Sequence, residues 1–180
     1  MKITLLVVGK TTDARLQTLI DDYCQRLTHY VPFSIVVIPE LKNTKALSEA
    51  QQKEREGQEI LRFASLSTDM ILLDEHGNEY RSIEWAEWWQ HRMTGGRDLL
   101  FVIGGPYGFS DAVYQRANGK ISLSKMTFSH QLIRLLFVEQ AYRAMTILRG
   151  EPYHHEYCTM YNGQWVNGVW YKVFRIRTDI

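Results

Sequence analysis

The strongest constraint on this chain is a set of short apolar runs, spaced too far apart for hairpins. Ile3–Val8 (ITLLVV), Phe33–Ile38 (FSIVVI), Met70–Asp74 (MILLD) and Leu99–Ile103 are rich in β-formers and nearly free of polar interruption. Such runs, unlike alternating ones, belong to strands covered on both faces, as in parallel sheets. The stretches between them carry helical spacing. Leu16, Leu19, Ile20, Tyr23 and Leu27 form one stripe between Asp13 and Tyr30, which Pro32 ends. A charged helix is predicted from Ser48 to about Ala64. It holds Gly57, which costs roughly 1 kcal/mol against Ala and so implies a packing reason or a bend. Ser82 can cap a third helix carrying Trp85, Trp88 and Trp89, whose indoles read as packing surface. Ser110 can cap a short helix to about Ala117, Lys120–Ser124 (KISLS) reads as a fifth strand, and Leu132–Arg149 as a long helix stopped by Gly150 and Pro152. Strands alternating with helices predict an α/β domain with a mostly parallel sheet.

A chain of 180 residues supports one domain with a full core. No long uncharged apolar stretch exists, which excludes a membrane span, and MKITLLVVGK reads as a buried strand rather than a signal peptide. Cys24 and Cys158 form no CxxC pair and suit a reducing cytosol. The net charge is +1, but unevenly spread: residues 1–115 are net acidic and residues 116–180 net basic. A basic C-terminal third attracts phosphate, although a solvated uneven surface explains the imbalance equally well.

The fourth apolar run continues into FVIGGPYGFSDAVYQR. Its GGxxG spacing is not GxGxxG, it follows the wrong strand for a dinucleotide fingerprint, and it lacks a Walker lysine. Gly104 and Gly105 permit close backbone approach to a flat ligand, or simply a tight turn that binds nothing. Two other strand ends tip the balance toward a pocket, because ligands of open α/β sheets bind outside the carboxyl ends of strands. One is Leu73-Asp74-Glu75. The other, Leu123, Ser124, Lys125, Met126, Thr127 and Phe128, is apolar and hydroxyl-rich enough to enclose an aromatic ring. The long helix is apolar around most of its circumference, so a second subunit is its natural cover. Its polar neighbours are His130, Arg134, the Glu139–Arg143 pair and the cluster Pro152-Tyr153-His154-His155-Glu156. A buried guanidinium at Arg134 calls for an anion. Glu139–Arg143 has the spacing of a structural ion pair, and adjacent histidines without a third ligand argue against a metal site.

In order and spacing, MKITLLVVGK, LLDEHG, FVIGGPYG, SLSKMTFSHQLIR and EQAYRAMTILRGEPYH resemble the ribosomal RNA large subunit methyltransferase H family of the SPOUT superfamily. The resemblance covers residues 1–156 and leaves 157–180 as an extension, where two Asn-Gly turns between aromatic β-formers predict a hairpin. It implies an α/β fold of SPOUT type, with helices on both faces of the sheet and a C-terminal trefoil knot, in a cytoplasmic homodimer. It also implies S-adenosylmethionine bound by Leu73, Gly104, Gly105 and Leu123–Phe128, without a metal. The implied reaction is methylation of N3 of a pseudouridine in 23S rRNA of the assembled ribosome. Arg134, His130, Tyr153 and His154 are then the candidates for charge stabilisation, orientation and proton transfer. The chain departs from the family pattern at His155, where a basic residue is usual, and in the tail with Lys172, Arg175 and Arg177. These departures leave open a SPOUT methyltransferase with a different RNA target, or a ribosome-binding module without turnover.

Overall fold

The computed structural model describes residues 1–41 and 46–154, together with the strand segments 163–166 and 169–172. His155, Glu156, Cys158 and the tail side chains that carry sequence expectations lie outside the described residues. The main elements run β1 (Ile3–Val8), α1 (Ala14–Thr28), β2 (Phe33–Ile38), α2 (Glu49–Leu61), β3 (Thr68–Asn78), α3 (Ser82–Thr94), β4 (Asp98–Ile103), α4 (Asp111–Arg116), β5 (Gly119–Ile121) and α5 (Leu132–Leu148). Two further strands, β6 (Gly163–Val166) and β7 (Val169–Lys172), pair antiparallel as a separate ribbon.

The sheet is parallel throughout, in the order β2-β1-β4-β3-β5. Alternate side chains of its apolar runs feed two cores. Ile3, Leu5 and Val7 join Leu99, Phe101 and Ile103 on one face, where Ile20, Leu27, Trp85, Trp89, Phe137 and Met145 cover them. Leu6, Val8, Leu72, Leu100 and Val102 point the other way, toward Ile60 of α2 and Val113 of α4. Helices α1, α3 and α5 therefore share one face, and α2 and α4 the other. Several helix starts follow local chemistry. Asp13 accepts from the amides of Arg15 and Leu16, and Ser48 and Gln51 form a reciprocal capping box.

The strand ends depart from expectation. β3 runs on to Asn78, past the end of the apolar run at Asp74. Its register against β5 shifts so that Leu73 and Asn78 both face Ile121. Gly77 permits the shift, since a Cβ there would stand 2.4 Å from the Ile121 backbone. β5 stops at Ile121 rather than Ser124, because serine hydroxyls take over from the ladder: Ser122 Oγ donates to the Ser124 carbonyl and Ser124 Oγ accepts from the Met126 amide. At α3 the cap position is Arg81, not Ser82, and the Glu84 carboxylate accepts from the Arg81 amide. Ser110 occupies the cap position of α4, but its hydroxyl makes no cap bond.

Helix α5 packs on α1 and α3, burying Phe137, Val138, Ala141, Ala144 and Met145. Leu132 stays exposed, and Leu135, Leu136, Tyr142 and Ile147 are only half-buried. No described helix is long and apolar enough to cross a membrane.

Candidate functional site

The second half of β3 and the loops that follow β4 and β5 enclose a cleft of about 630 Å³ at the carboxyl end of the sheet. Leu73, Gly104, Gly105, Leu123, Ser124, Met126, Thr127 and Phe128 all line it, as does His130. Lys125 does not. The walls divide by chemistry. Leu73, Ile103, Leu123, Phe128 and Ile133 supply apolar surface, while the glycines and serines of the loops supply backbone and hydroxyl groups. Mostly apolar walls with a few fixed polar groups are the usual form of a small-molecule site, and the volume lies in the usual range.

The loops are built to keep this shape. Gly108 adopts φ +82°, closing a turn in which its amide donates to the Gly105 carbonyl at 3.2 Å. The loop after β5 is laced by the bonds of Ser122 and Ser124, and the Leu132 amide that opens α5 donates to Ser129 Oγ at 3.2 Å. At the rim, the Tyr114 hydroxyl donates to Asp74 Oδ2 at 2.5 Å. Burial, aided by that bond, raises its pKa, so Tyr114 stays a donor.

The candidate catalytic side chains are not all in the cleft. Arg134 is 2% exposed and does not line it. Its Nη2 donates to the Val8 carbonyl at 2.7 Å and its Nη1 to Thr11 Oγ1 at 3.0 Å, while Nε finds no partner among the described residues. The expected anion is therefore replaced at bonding distance by neutral oxygens of the β1 end. Burial lowers the arginine's pKa, and the field of Glu40 opposes that shift. Tyr153 lies beside α1 and α5, with its hydroxyl donating to Glu139 Oε1 at 3.1 Å and 3.2 Å from Tyr23 Oη. Burial first, and these bonds second, raise its pKa. Glu139 is in turn paired with Arg143, as the spacing predicted. Both ring nitrogens of His154 are buried and find no partner among the described residues.

Sequence reasoning missed further lining residues, among them Lys53, His76, Tyr114, Ser122 and Ile133. Lys53 sits among the charges of α2, where nothing local marks which of them turns toward the cleft.

The family model described as "Predicted SPOUT methyltransferase" matches residues 1–154. A protein of Bacteroides thetaiotaomicron named Ribosomal RNA large subunit methyltransferase H is 60% identical over 157 residues, covering 87% of this chain and 100% of the relative. Proteins of the same name from Phocaeicola vulgatus and Flavobacterium johnsoniae are 58% and 55% identical over the same share of each chain.

Proposed function

The chain belongs to the SPOUT methyltransferase family, and from that premise we propose that it methylates N3 of a pseudouridine in 23S rRNA of the assembled ribosome, using S-adenosylmethionine. The observation that carries the reading is the cleft formed by the second half of β3 and the loops after β4 and β5. Its apolar walls fit an adenine ring, and the glycines and serines of its lining fit the polar edges of a nucleoside. Leu73, Gly104, Gly105, Leu123, Ser124, Met126, Thr127, Phe128 and Ile133 would hold the methyl donor. When bound, the donor supplies an electrophilic methyl group on a sulfonium centre, for which no metal is needed.

The protein's own work is then placement and proton handling. The loops fix the donor so that a nucleophile can approach in line. N3 of the target base carries an imide proton, so a base or a stabilised anion is required. Within this reading His130, at the cleft wall, is the proton carrier. Arg134 steadies negative charge from behind, through the β1 end it grips. Tyr153 and His154 lie outside the cleft of their own chain, which fits a site completed by a second copy. The half-buried apolar residues of α5 give such a copy its contact. The homodimer, the trefoil knot, the cytoplasmic location and residues 157–180 as an added segment belong to the same proposal. The net basic C-terminal third suits an RNA substrate.

The test uses ribosomes from a strain lacking the endogenous activity, incubated with the protein and labelled S-adenosylmethionine, with the labelled nucleotide then mapped. Label at N3 of one large-subunit pseudouridine is expected. Label elsewhere overturns the target, and ribosome binding without label overturns catalysis.

A further inference from the structure

Two consecutive residues of α2 meet both ends of the glycine loop. Glu56 and Gly57 are buried in mid-helix, while Glu49, Glu54 and Arg55 of the same helix are exposed. A Cβ on Gly57 would stand 2.3 Å from Ser110 Oγ, so the helix backbone rests directly on the loop's far end. A Cβ on Gly105 would stand 2.3 Å from Glu56 Oε2, so the carboxyl rests directly on its near end. Lys53, three residues before Glu56, lines the cleft itself. The loop is thus held between the cleft on one side and the Glu56 carboxyl on the other.

A carboxyl in this position is costly. Glu56 is 5% exposed, and the donor found for it is Gln52 Nε2, at 3.0 Å from Oε1. Burial raises its pKa, and Glu40 pushes in the same direction. Glu40 itself packs against Gly9 at the end of β1 and acts through its field on Arg134, so the charged groups acting on this corner come from several elements. An apolar side chain of similar volume would fill the space without the desolvation cost. Packing alone therefore does not account for an acid here.

We propose that Glu56 is a positioning residue: its carboxyl, set against Gly105 from behind, holds the Gly104–Gly108 loop in the shape it presents to the cleft and so sets affinity for the methyl donor. This rests on the reading of the cleft as the S-adenosylmethionine site. Glu56 reaches the donor only through the loop, so its removal raises the donor's Kd and KM and leaves kcat at saturation nearly unchanged.

The experiment is calorimetric titration of S-adenosylmethionine into the wild-type protein, Glu56→Ala, Glu56→Gln, Gly105→Ala and the double variant Glu56→Ala/Gly105→Ala, with melting temperatures measured alongside. Glu56→Ala is expected to weaken binding about tenfold, equivalent to about 1.4 kcal/mol. Glu56→Gln keeps the shape and bonding of the side chain and is expected to restore most of that loss. Gly105→Ala is expected to weaken binding in the wild-type background and much less once Glu56 is truncated, because the carboxyl no longer occupies the added methyl's place. If Glu56→Ala does not fold, Glu56→Asp withdraws the carboxyl from Gly105 by one methylene and must weaken binding where Glu56→Gln does not. Equal Kd in wild type and every Glu56 variant overturns the inference, as does the same Gly105→Ala penalty in both backgrounds. Absence of binding by the wild-type protein overturns the cleft assignment itself, and the inference falls with it.

Discussion

The two faces of the sheet are built on different principles. Beneath α1, α3 and α5 lies a dense aromatic core. Phe101 meets Trp89 at 5.2 Å and Phe137 at 4.7 Å between ring centroids, and Trp85, Trp88 and Trp89 stack or meet edge-on. The buried polar residues of that side are Arg134 and Thr146 of α5. Beneath α2 and α4 the core is smaller and mostly aliphatic, with Phe109 its buried aromatic residue, and the acid Glu56 and the hydroxyl of Ser110 are buried at its edge, beside the glycine loop. One face is arranged for cohesion, the other for holding the glycine loop. Stability and ligand affinity should accordingly respond to different substitutions.

The largest expected effect lies in the aromatic core. Trp89→Ala is expected to cost about 3–5 kcal/mol, lowering the melting temperature by roughly ten degrees or more. The donor Kd of the folded fraction should stay close to wild type, and a large rise in Kd would erase the division between the faces. Next comes Arg134→Ala. It is expected to lower turnover on ribosomes about a hundredfold, by misplacing what the β1 end supports, with a far smaller change in donor affinity. Unchanged turnover removes Arg134 from the catalytic group. Smaller still is Glu56→Gln, read as stability against pH. Burial lifts the folded-state pKa of Glu56 above its unfolded value, so its contribution is full below the ordinary carboxylate pKa and is lost as pH rises through the folded value. The amide does not titrate. Melting temperatures of Glu56→Gln should therefore gain on wild type as pH rises above the ordinary carboxylate pKa, by about 2–4 °C per kcal/mol. A constant difference as pH rises would show a carboxyl that folding does not perturb. The smallest effect is expected from Ser48→Ala, which removes half of a capping box for about 1 kcal/mol of stability. Its donor Kd should not move, since the cap touches only the first turn of α2; a shift would make the whole helix, rather than its Glu56–Gly57 contact, responsible for the loop.

The sheet was legible because its strands are continuous apolar runs, a pattern that depends on local order alone. The cleft was legible for a related reason: its loops stand at strand ends, and the composition of Leu123–Phe128 is unusual for a simple turn. What escaped depends on tertiary contact. His76-Gly77-Asn78 reads as a turn, and only the close approach of Ile121 makes it strand. Lys53 and Glu56 are charged residues on a charged helix, and periodicity does not say which of its charges a neighbouring loop will cover. Gly57 was the one visible trace of that contact, an expensive residue whose partner, Ser110, lies far along the chain. The anion expected beside Arg134 was a sound inference about charge, but a carbonyl and a hydroxyl also satisfy guanidinium donors.

The pairing of β1 bears on how the molecule comes into being. The Lys2 amide donates to Asp98 Oδ1 at 2.6 Å across 96 residues, and Ile3 faces Leu99 in the register of the sheet. Synthesis delivers β1 first, yet its inner neighbour arrives only after α1, β2, α2, β3 and α3 have been made. Until then one edge of a strongly apolar strand has no partner, and closure over that separation is intrinsically slow. The loops of the cleft come later still, since β5 and α5 follow β4. Nascent chains shortened to end before β4 would thus expose Ile3–Val8 along one edge and bind holdase chaperones, whereas chains extended through α5 would have that strand enclosed.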